Sequence, residues 1–194
     1  MRVDLNFGKN GCPVEFSDDW DVTIIRKPTM PIESDGKSAL QRALNNPVGS
    51  PTVRHLAQGK KNVCILICDI TRPVPNGIIL PVLIKELMDA GVESRHITVL
   101  VATGLHRPNE GQELEELVGD SWVLETVKVV NHFANRDSDH VEVGVTNYGT
   151  KVRLDHRFVN ADLKIVTGLV EPHLFAGYSG GRKVIAPGIA DAET

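Results

Sequence analysis

The alternation of apolar strands with helical segments from residue 62 onward constrains the fold most. Val63–Cys68 is an unbroken apolar run with β-branched residues, which is typical of a strand covered on both faces. Gly77–Ala90 has a helical pattern that ends at Gly91, and Ile97–Val101 predicts the next strand. Strands that alternate with helices in this way predict a parallel sheet with right-handed crossovers.

The same alternation continues through the rest of the chain. It predicts a helix over Asn109–Val118, strands over Thr126–Val130, Val141–Val145 and Leu163–Thr167, a helix opening near Gly180 or Gly181, and the start of a further helix over 190–194. The predicted fold class is therefore α/β, with a mostly parallel sheet and helices on both of its faces.

A short mixed region precedes this sheet. Val3, Leu5 and Phe7 alternate as in a strand, and 21–26 predicts a second strand. Ser50–Pro51 and Gly59 have the composition of the start and the end of a short helix. We take 1–194 as one domain.

Charge and cysteine content exclude several classes of protein. Lys and Arg number 21 against 25 Asp and Glu, and aromatic residues make up 5% of the chain, so neither nucleic acid nor a membrane surface is an expected partner. The longest apolar runs fall far short of the roughly 18 to 20 residues of a membrane helix, and no signal peptide is predicted. We interpret Cys12, Cys64 and Cys68 as buried small hydrophobic residues of a cytoplasmic protein.

Three polar loops follow predicted strands. They are Asp69–Pro75, Gly104–Pro108 and Glu171–Lys183. Because ligands of open parallel sheets bind at the carboxyl ends of the strands, we expect these loops to converge on one site.

Individual residues in these loops have both a functional and a structural interpretation. The planar guanidinium of Arg72 suits a carboxylate or a phosphate, and His106 and His173 suit acid–base chemistry. Alternatively, Asp69 and Thr71 form only a turn that ends the strand, and His106 is an exposed loop residue. The remaining histidines are assigned to surface or helix-end positions: His55, His96, His132, His140 and His156.

The glycine-rich run 177–183 is compared with two known motifs. It is not a P-loop, because Val184 stands where Ser or Thr would hold magnesium. It matches a Gly-x-Ser-x-Gly elbow at Ser179, but the run starts well after the strand and no histidine follows residue 173. The remaining interpretation is a turn whose amides approach an anion, with Lys183 as nucleophile, as covalent anchor or as a solvated surface lysine.

Together the three motifs resemble the N-terminal domain of the nickel-dependent lactate racemase family. The matching segments are Asp69–Pro75, Ala102–Pro108 and Glu171–Gly188, and the resemblance spans about 1–194. It implies a racemase or epimerase of a small 2-hydroxy acid, lactate or a relative. It also implies that the reaction proceeds by hydride transfer to a nickel-pincer pyridinium mononucleotide.

The resemblance also implies roles for particular residues. One sulfur-containing arm of the cofactor is joined to Lys183, and His106 and His173 act as acid and base. Asp69, Thr71, Gly180 and Gly181 contribute to the cofactor site, and Arg72 contributes to both the cofactor and the substrate sites.

This chain departs from the family pattern at its end. The family's nickel-ligating histidine lies beyond Thr194, so no metal ligand is assigned within this chain. The family's C-terminal domain is absent, so we expect a half-site that depends on that domain and on cofactor-maturation proteins. Two other interpretations stay open: a non-catalytic anion- or nucleotide-binding domain, and an enzyme of another reaction type on the same cofactor scaffold.

Overall fold

The computed structural model describes residues 1–8, 10–26 and 28–194, which form two compact units, Met1–Ser34 and Asp35–Thr194. The first unit contains an antiparallel hairpin of β1 (Arg2–Leu5) and β2 (Cys12–Glu15). The strand predicted over 21–26 is wrong: this stretch has no regular secondary structure. Ile25 within it is almost fully exposed, since no neighbouring strand pairs with it.

A four-stranded parallel sheet forms the centre of the second unit. Its order is β5 (Lys128–Asn131), β4 (Ile97–Ala102), β3 (Val63–Cys68), β8 (Leu163–Val166). Val63 pairs with Ile97 on one side and with Leu163 on the other. Every residue of β3 is buried, as predicted for a strand covered on both faces.

Helices cover both faces of this sheet. The helices of this unit are α1 (Gly36–Asn45), α2 (Val53–Ala57), α3 (Asn76–Asp89), α4 (Gln112–Val118), α5 (Ser121–Thr126), α6 (His156–Val159) and α7 (Arg182–Ile185). Leu80, Ile84 and Leu87 of α3 pack with Ile65 and other residues on one face. On the opposite face, Phe158 of α6 and Val184 of α7 pack with Leu66 and Leu100. The predicted α/β class is confirmed.

Several elements differ from the sequence-based prediction. A separate antiparallel hairpin joins β6 (His140–Val145) to β7 (Lys151–Asp155), and only its first strand was predicted. The helices α1, α5 and α6 were not predicted. The helix expected over 190–194 is wrong, because Ala190 bridges to Leu154 and the Asp191 amide donates to the Arg153 carbonyl.

Burial of cysteine and histidine also differs in part from the prediction. Cys64 and Cys68 are buried, but Cys12 is exposed on the β1–β2 hairpin. Burial raises the pKa of the Cys64 thiol to about 12. His132 and His140 are buried rather than on the surface, since their rings pack edge-to-face against each other beside Asp155 and Asp191. None of the helices in the described ranges has the length and apolar character to cross a membrane.

Candidate functional site

The three loops that follow β3, β4 and β8 surround one cavity of about 260 Å³ at the carboxyl edge of the sheet. Among its lining residues are Asp69, Thr71, Arg72, Gly104, His106, Ser179, Gly180, Lys183, Pro187 and Gly188. The structure thus brings most of the predicted site residues together. His173 and Gly181 are not among the lining residues.

Asp69 connects two of the loops. It follows β3 directly and is 5% exposed. One carboxylate oxygen, Oδ1, accepts hydrogen bonds from the Thr71 amide (3.2 Å) and the Thr71 hydroxyl (2.5 Å). The other, Oδ2, lies 2.6 Å from Nδ1 of His106. Asp69 therefore forms the turn that the structural interpretation predicted, and it also contacts a proposed acid–base residue.

The His106 ring is held at one nitrogen only. Its side chain is 61% exposed and lines the cavity. The other ring nitrogen, Nε2, makes no hydrogen bond to any residue that the structure describes. An anchored ring with one free nitrogen is suited to exchange a proton with a ligand.

Arg72 lies between the first and the third loop. Its Nε is 3.8 Å from Oε1 of Glu171, and its Nη1 donates to the Thr71 carbonyl at 3.3 Å. Arg107, on the second loop, instead pairs with Glu113 through both terminal nitrogens. Arg107 does not line the cavity, so its guanidinium is not placed to bind a ligand there. Arg72 is therefore the arginine placed for an anion in the cavity.

Two buried asparagines that the sequence analysis missed hold the loops in place. The Asn109 amide donates to Oδ1 of Asn131 (3.0 Å), and Nδ2 of Asn131 donates to the Asn109 carbonyl (2.8 Å). Oδ1 of Asn109 also accepts from the Ile70 amide, which ties the first loop to the second. The sequence does contain a signal for Asn131. It is a polar residue at the end of β5, and this end lies at the same sheet edge as the three loops.

The Ser179 hydroxyl stabilises its own loop through hydrogen bonds. It donates to the Leu169 carbonyl (2.6 Å) and accepts from the Glu171 amide (3.1 Å). These bonds close a small hairpin of β9 (Pro172–His173) and β10 (Gly177–Tyr178). A hydroxyl used in this way argues against Ser179 as a nucleophile.

His173 lies on β9, away from the cavity wall. Its Nδ1 accepts hydrogen bonds from the amides of Phe175 (3.3 Å) and Ala176 (3.2 Å). The side chains of the next residues, Leu174 and Phe175, are almost fully exposed. The structure therefore does not bring His173 together with His106 around this cavity.

Lys183 lies in α7, a helix of four residues that begins directly after Gly181. Its side chain lines the cavity and makes no ion pair with any part of the chain that the structure describes. Gly180 has φ +68° and approaches the Leu169 carbonyl so closely that a Cβ would lie 2.8 Å from its oxygen. Only glycine fits this turn.

Within the described ranges, the side chains do not form a metal site by themselves. Within them, no group of three or more His, Cys, Asp or Glu side chains is arranged to hold a metal ion. Cys68 lines the cavity, and burial raises the pKa of its thiol. This sulfur is therefore a neutral, apolar part of the cavity wall at neutral pH.

Comparison with known proteins identifies the family. Residues 7–194 match the family model described as lactate racemase N-terminal domain. The lactate racemase of Thermoanaerobacterium thermosaccharolyticum is 36% identical over 195 residues, which cover 99% of this chain and 45% of that protein. The lactate racemase of Lactiplantibacillus plantarum is 39% identical over 196 residues, 100% of this chain and 46% of that protein.

Solved structures give a consistent result. The lactate racemase apoprotein of T. thermosaccharolyticum superposes with a TM-score of 0.85 at 34% identity, over 99% of this chain and 44% of that one. A Thermotoga maritima protein, at TM-score 0.61 and 23% identity over 80% of this chain and 37% of that one, shares the fold. This chain spans less than half the length of the curated relatives it matches. It belongs to the lactate racemase N-terminal domain family.

Proposed function

We propose that this chain supplies the cofactor-anchoring and acid–base half of a cytoplasmic isomerase that racemises a small 2-hydroxy acid, lactate or a relative. The observation that carries the proposal is the convergence of Arg72, His106 and Lys183 on one cavity, in a chain whose family is named for lactate racemase. The rest of the site comes from a C-terminal domain, and maturation proteins load the cofactor.

The cavity residues fit an anionic mononucleotide. Arg72 and Lys183 provide positive charge, and Thr71 provides a hydroxyl. Gly181 does not line the cavity but follows the lining residue Gly180. It has φ +50° and open space where a side chain would stand, so a phosphate at the edge of the cavity can approach the backbone there. When bound, the nickel-pincer pyridinium mononucleotide supplies an electrophilic centre for hydride chemistry. Lys183 would hold it covalently, and Asp69, Thr71, Gly180 and Gly181 would contact it.

The protein residues bind the substrate and move a proton. The Arg72 guanidinium binds the substrate carboxylate with two parallel hydrogen bonds and keeps the planar keto acid from leaving. His106 takes the hydroxyl proton at Nε2, the nitrogen left free in the structure. His173 performs the same task on the opposite face of the substrate. Because it lies outside the cavity wall, this role requires the β9–β10 hairpin to move toward the ligand.

One observation favours the second candidate, a non-catalytic domain that binds an anion or a nucleotide. Only one of the two histidines faces the cavity, and a binding domain has no need of a second. The two candidates differ in whether the complete protein racemises a 2-hydroxy acid and in whether Lys183 is modified.

The deciding experiment uses the complete natural protein purified from its own host. We expect mass spectrometry of the peptide containing Lys183 to show an adduct with phosphorus and sulfur, and chiral analysis to show racemisation of lactate or a related acid. His106→Ala and His173→Ala should each lower turnover by at least about 10²-fold while the adduct remains.

His96→Ala is the matched control, because His96 bonds the Lys61 carbonyl near the start of β4, at the other end of the sheet. It should keep wild-type turnover. An unmodified Lys183 together with no racemisation of lactate or a related acid by the wild-type protein would support the binding domain instead.

A further inference from the structure

The contact between Asp69 and His106 determines which ring nitrogen of His106 carries a proton. The Thr71 amide is an obligatory donor, and it points at Oδ1 of Asp69. An ionised carboxylate only accepts hydrogen bonds, so Nδ1 of His106, 2.6 Å from Oδ2, must be the donor. In the neutral ring the lone pair then lies on Nε2.

The surroundings keep this contact in place. Asp69 is buried, whereas His106 is mostly exposed, so the carboxylate is the fixed partner and the ring is the one that is positioned. The loops that carry the two residues are joined by Asn109, whose Oδ1 accepts from the Ile70 amide. Asn109 is itself 2% exposed and paired with Asn131. A loop movement that separated Asp69 from His106 would break buried hydrogen bonds.

We propose that Asp69 is the positioning residue of His106, which it locks in the Nδ1–H tautomer so that Nε2 exchanges the substrate proton. This role is distinct from cofactor contact. Its effect on turnover rests on the proposed function, but the tautomer itself is a property of the chain that can be measured without substrate.

The substitution Asp69→Asn tests this role with a side chain of the same shape. The Thr71 amide needs an acceptor, so the amide oxygen of Asn would stay on that side. The Asn NH₂ group would then face Nδ1 of His106 and donate to it. The neutral ring would be forced into the Nε2–H tautomer, which has no lone pair at Nε2 to receive a proton.

Nitrogen-15 NMR of histidine side chains in the complete natural protein reads the tautomer directly. The measurement is made on the alkaline plateau, where the ring is neutral, and the His106 signals are assigned by their loss in His106→Gln. We expect protonated Nδ1 in the wild type and protonated Nε2 in Asp69→Asn. A wild-type ring with its proton on Nε2 would overturn the proposal, even if the variant fails to fold.

Kinetics of the loaded protein provides the second readout. Exchanging Asp for Asn behind a histidine base inverts the tautomer, and we expect kcat to fall by about 10²- to 10⁴-fold. The KM for the 2-hydroxy acid should change by less than about threefold, because no substrate contact is removed. Asp162→Asn is the matched control, since Asp162 accepts from the Lys61 and Asn62 amides at the opposite edge of the sheet.

The outcomes separate this proposal from the proposed function. Wild-type kcat in Asp69→Asn, with or without an inverted tautomer, would overturn the positioning role. A rise in KM at constant kcat would also overturn it, in favour of ligand contact by Asp69. A wild type that carries the Nδ1–H tautomer but racemises no 2-hydroxy acid would overturn the proposed function and still support the fixed tautomer.

Discussion

Arg72 lines the candidate site and contacts Glu171 of the third loop, and this contact is weak. The 3.8 Å between Nε and Oε1 is long for an ion pair, and the two side chains are 26% and 47% exposed. Exposed pairs of this kind contribute at most about 1 kcal/mol. The carboxylate of the proposed substrate can therefore replace Glu171 as the partner of Arg72 at little cost.

We expect Glu171→Gln to tighten binding of the 2-hydroxy acid, because the variant removes a carboxylate that competes for Arg72. In steady-state kinetics of the complete natural protein, KM should fall by up to about fivefold, the equivalent of about 1 kcal/mol. Glu113→Gln is the control, since Glu113 pairs with Arg107 outside the cavity wall, and it should leave KM unchanged. A higher KM in Glu171→Gln would mean that Glu171 orients Arg72 instead of competing for it.

Which residues meet at this site was predictable in part from the sequence. Asp69, His106 and Lys183 follow different strands of one parallel sheet, and strand order alone brings such positions to one edge. The Asn109–Asn131 pair was not predictable, because it depends on how two loops align in space. The position of His173 also depends on tertiary structure, namely on the β9–β10 hairpin.

The helix α7 and the turn that follows it form one wall of the cavity, and the backbone there is closely packed. A Cβ on Gly188 would lie 2.1 Å from the Val184 carbonyl oxygen. The Gly188 carbonyl accepts from the Gly104 amide at 2.9 Å. Gly104 begins the loop that carries His106, so packing at Gly188 is coupled to the site.

We expect Gly188→Ala to destabilise the chain by about 1–3 kcal/mol, because backbone atoms must shift to make room for the methyl group. Equilibrium urea unfolding measures the change. Gly36→Ala is the matched control: its Cβ would meet only the end of the Ile78 side chain, at 3.3 Å, and the loss should stay below about 0.5 kcal/mol. Equal losses in the two variants would contradict the close packing at Gly188.

The parallel strands were predictable because burial on both faces produces continuous apolar runs such as β3. The strands of the β1–β2 and β6–β7 hairpins were predicted only in part. β2 contains Pro13, which disfavours a strand in sequence-based prediction. β7 alternates charged and apolar residues, which is a strand pattern that the prediction missed. The pattern of 190–194 favours a helix locally, but pairing with β7 prevails.

At the scale of the whole second unit, a buried polar cluster joins parts of the chain that are distant in sequence. Asp155, at the end of β7, is fully buried and receives hydrogen bonds from Arg157 and from Nδ1 of His132. Nε2 of His132 is 3.0 Å from the Ala190 carbonyl oxygen. The cluster therefore fixes the segment that follows the Gly188 turn against the β6–β7 hairpin.

Burial by itself would raise the pKa of Asp155, but the hydrogen bonds from Arg157 and His132 outweigh it and hold this pKa well below its usual value. A carboxyl whose pKa is lower in the folded state stabilises that state at any pH above its unfolded pKa of about 3.9. This stabilisation is lost as the pH falls from about 4 toward the folded pKa, by about 1.4 kcal/mol per pH unit.

We therefore expect Asp155→Asn to lower the free energy of unfolding by about 3–5 kcal/mol at neutral pH, since it leaves buried partners without their charge. The amide oxygen can still accept from the Arg157 amide, as Oδ1 of Asp155 does, so the variant isolates the effect of charge. Urea unfolding from pH 8 to pH 3 should show a difference in the free energy of unfolding from the wild type that is constant above about pH 5 and narrows below about pH 4.

Asp120→Asn is the control, because it keeps an acceptor for the Val123 amide. It should lower the free energy of unfolding by less than about 0.5 kcal/mol. If the difference between Asp155→Asn and the wild type stayed constant down to pH 3, the ionised Asp155 would not be what stabilises this cluster.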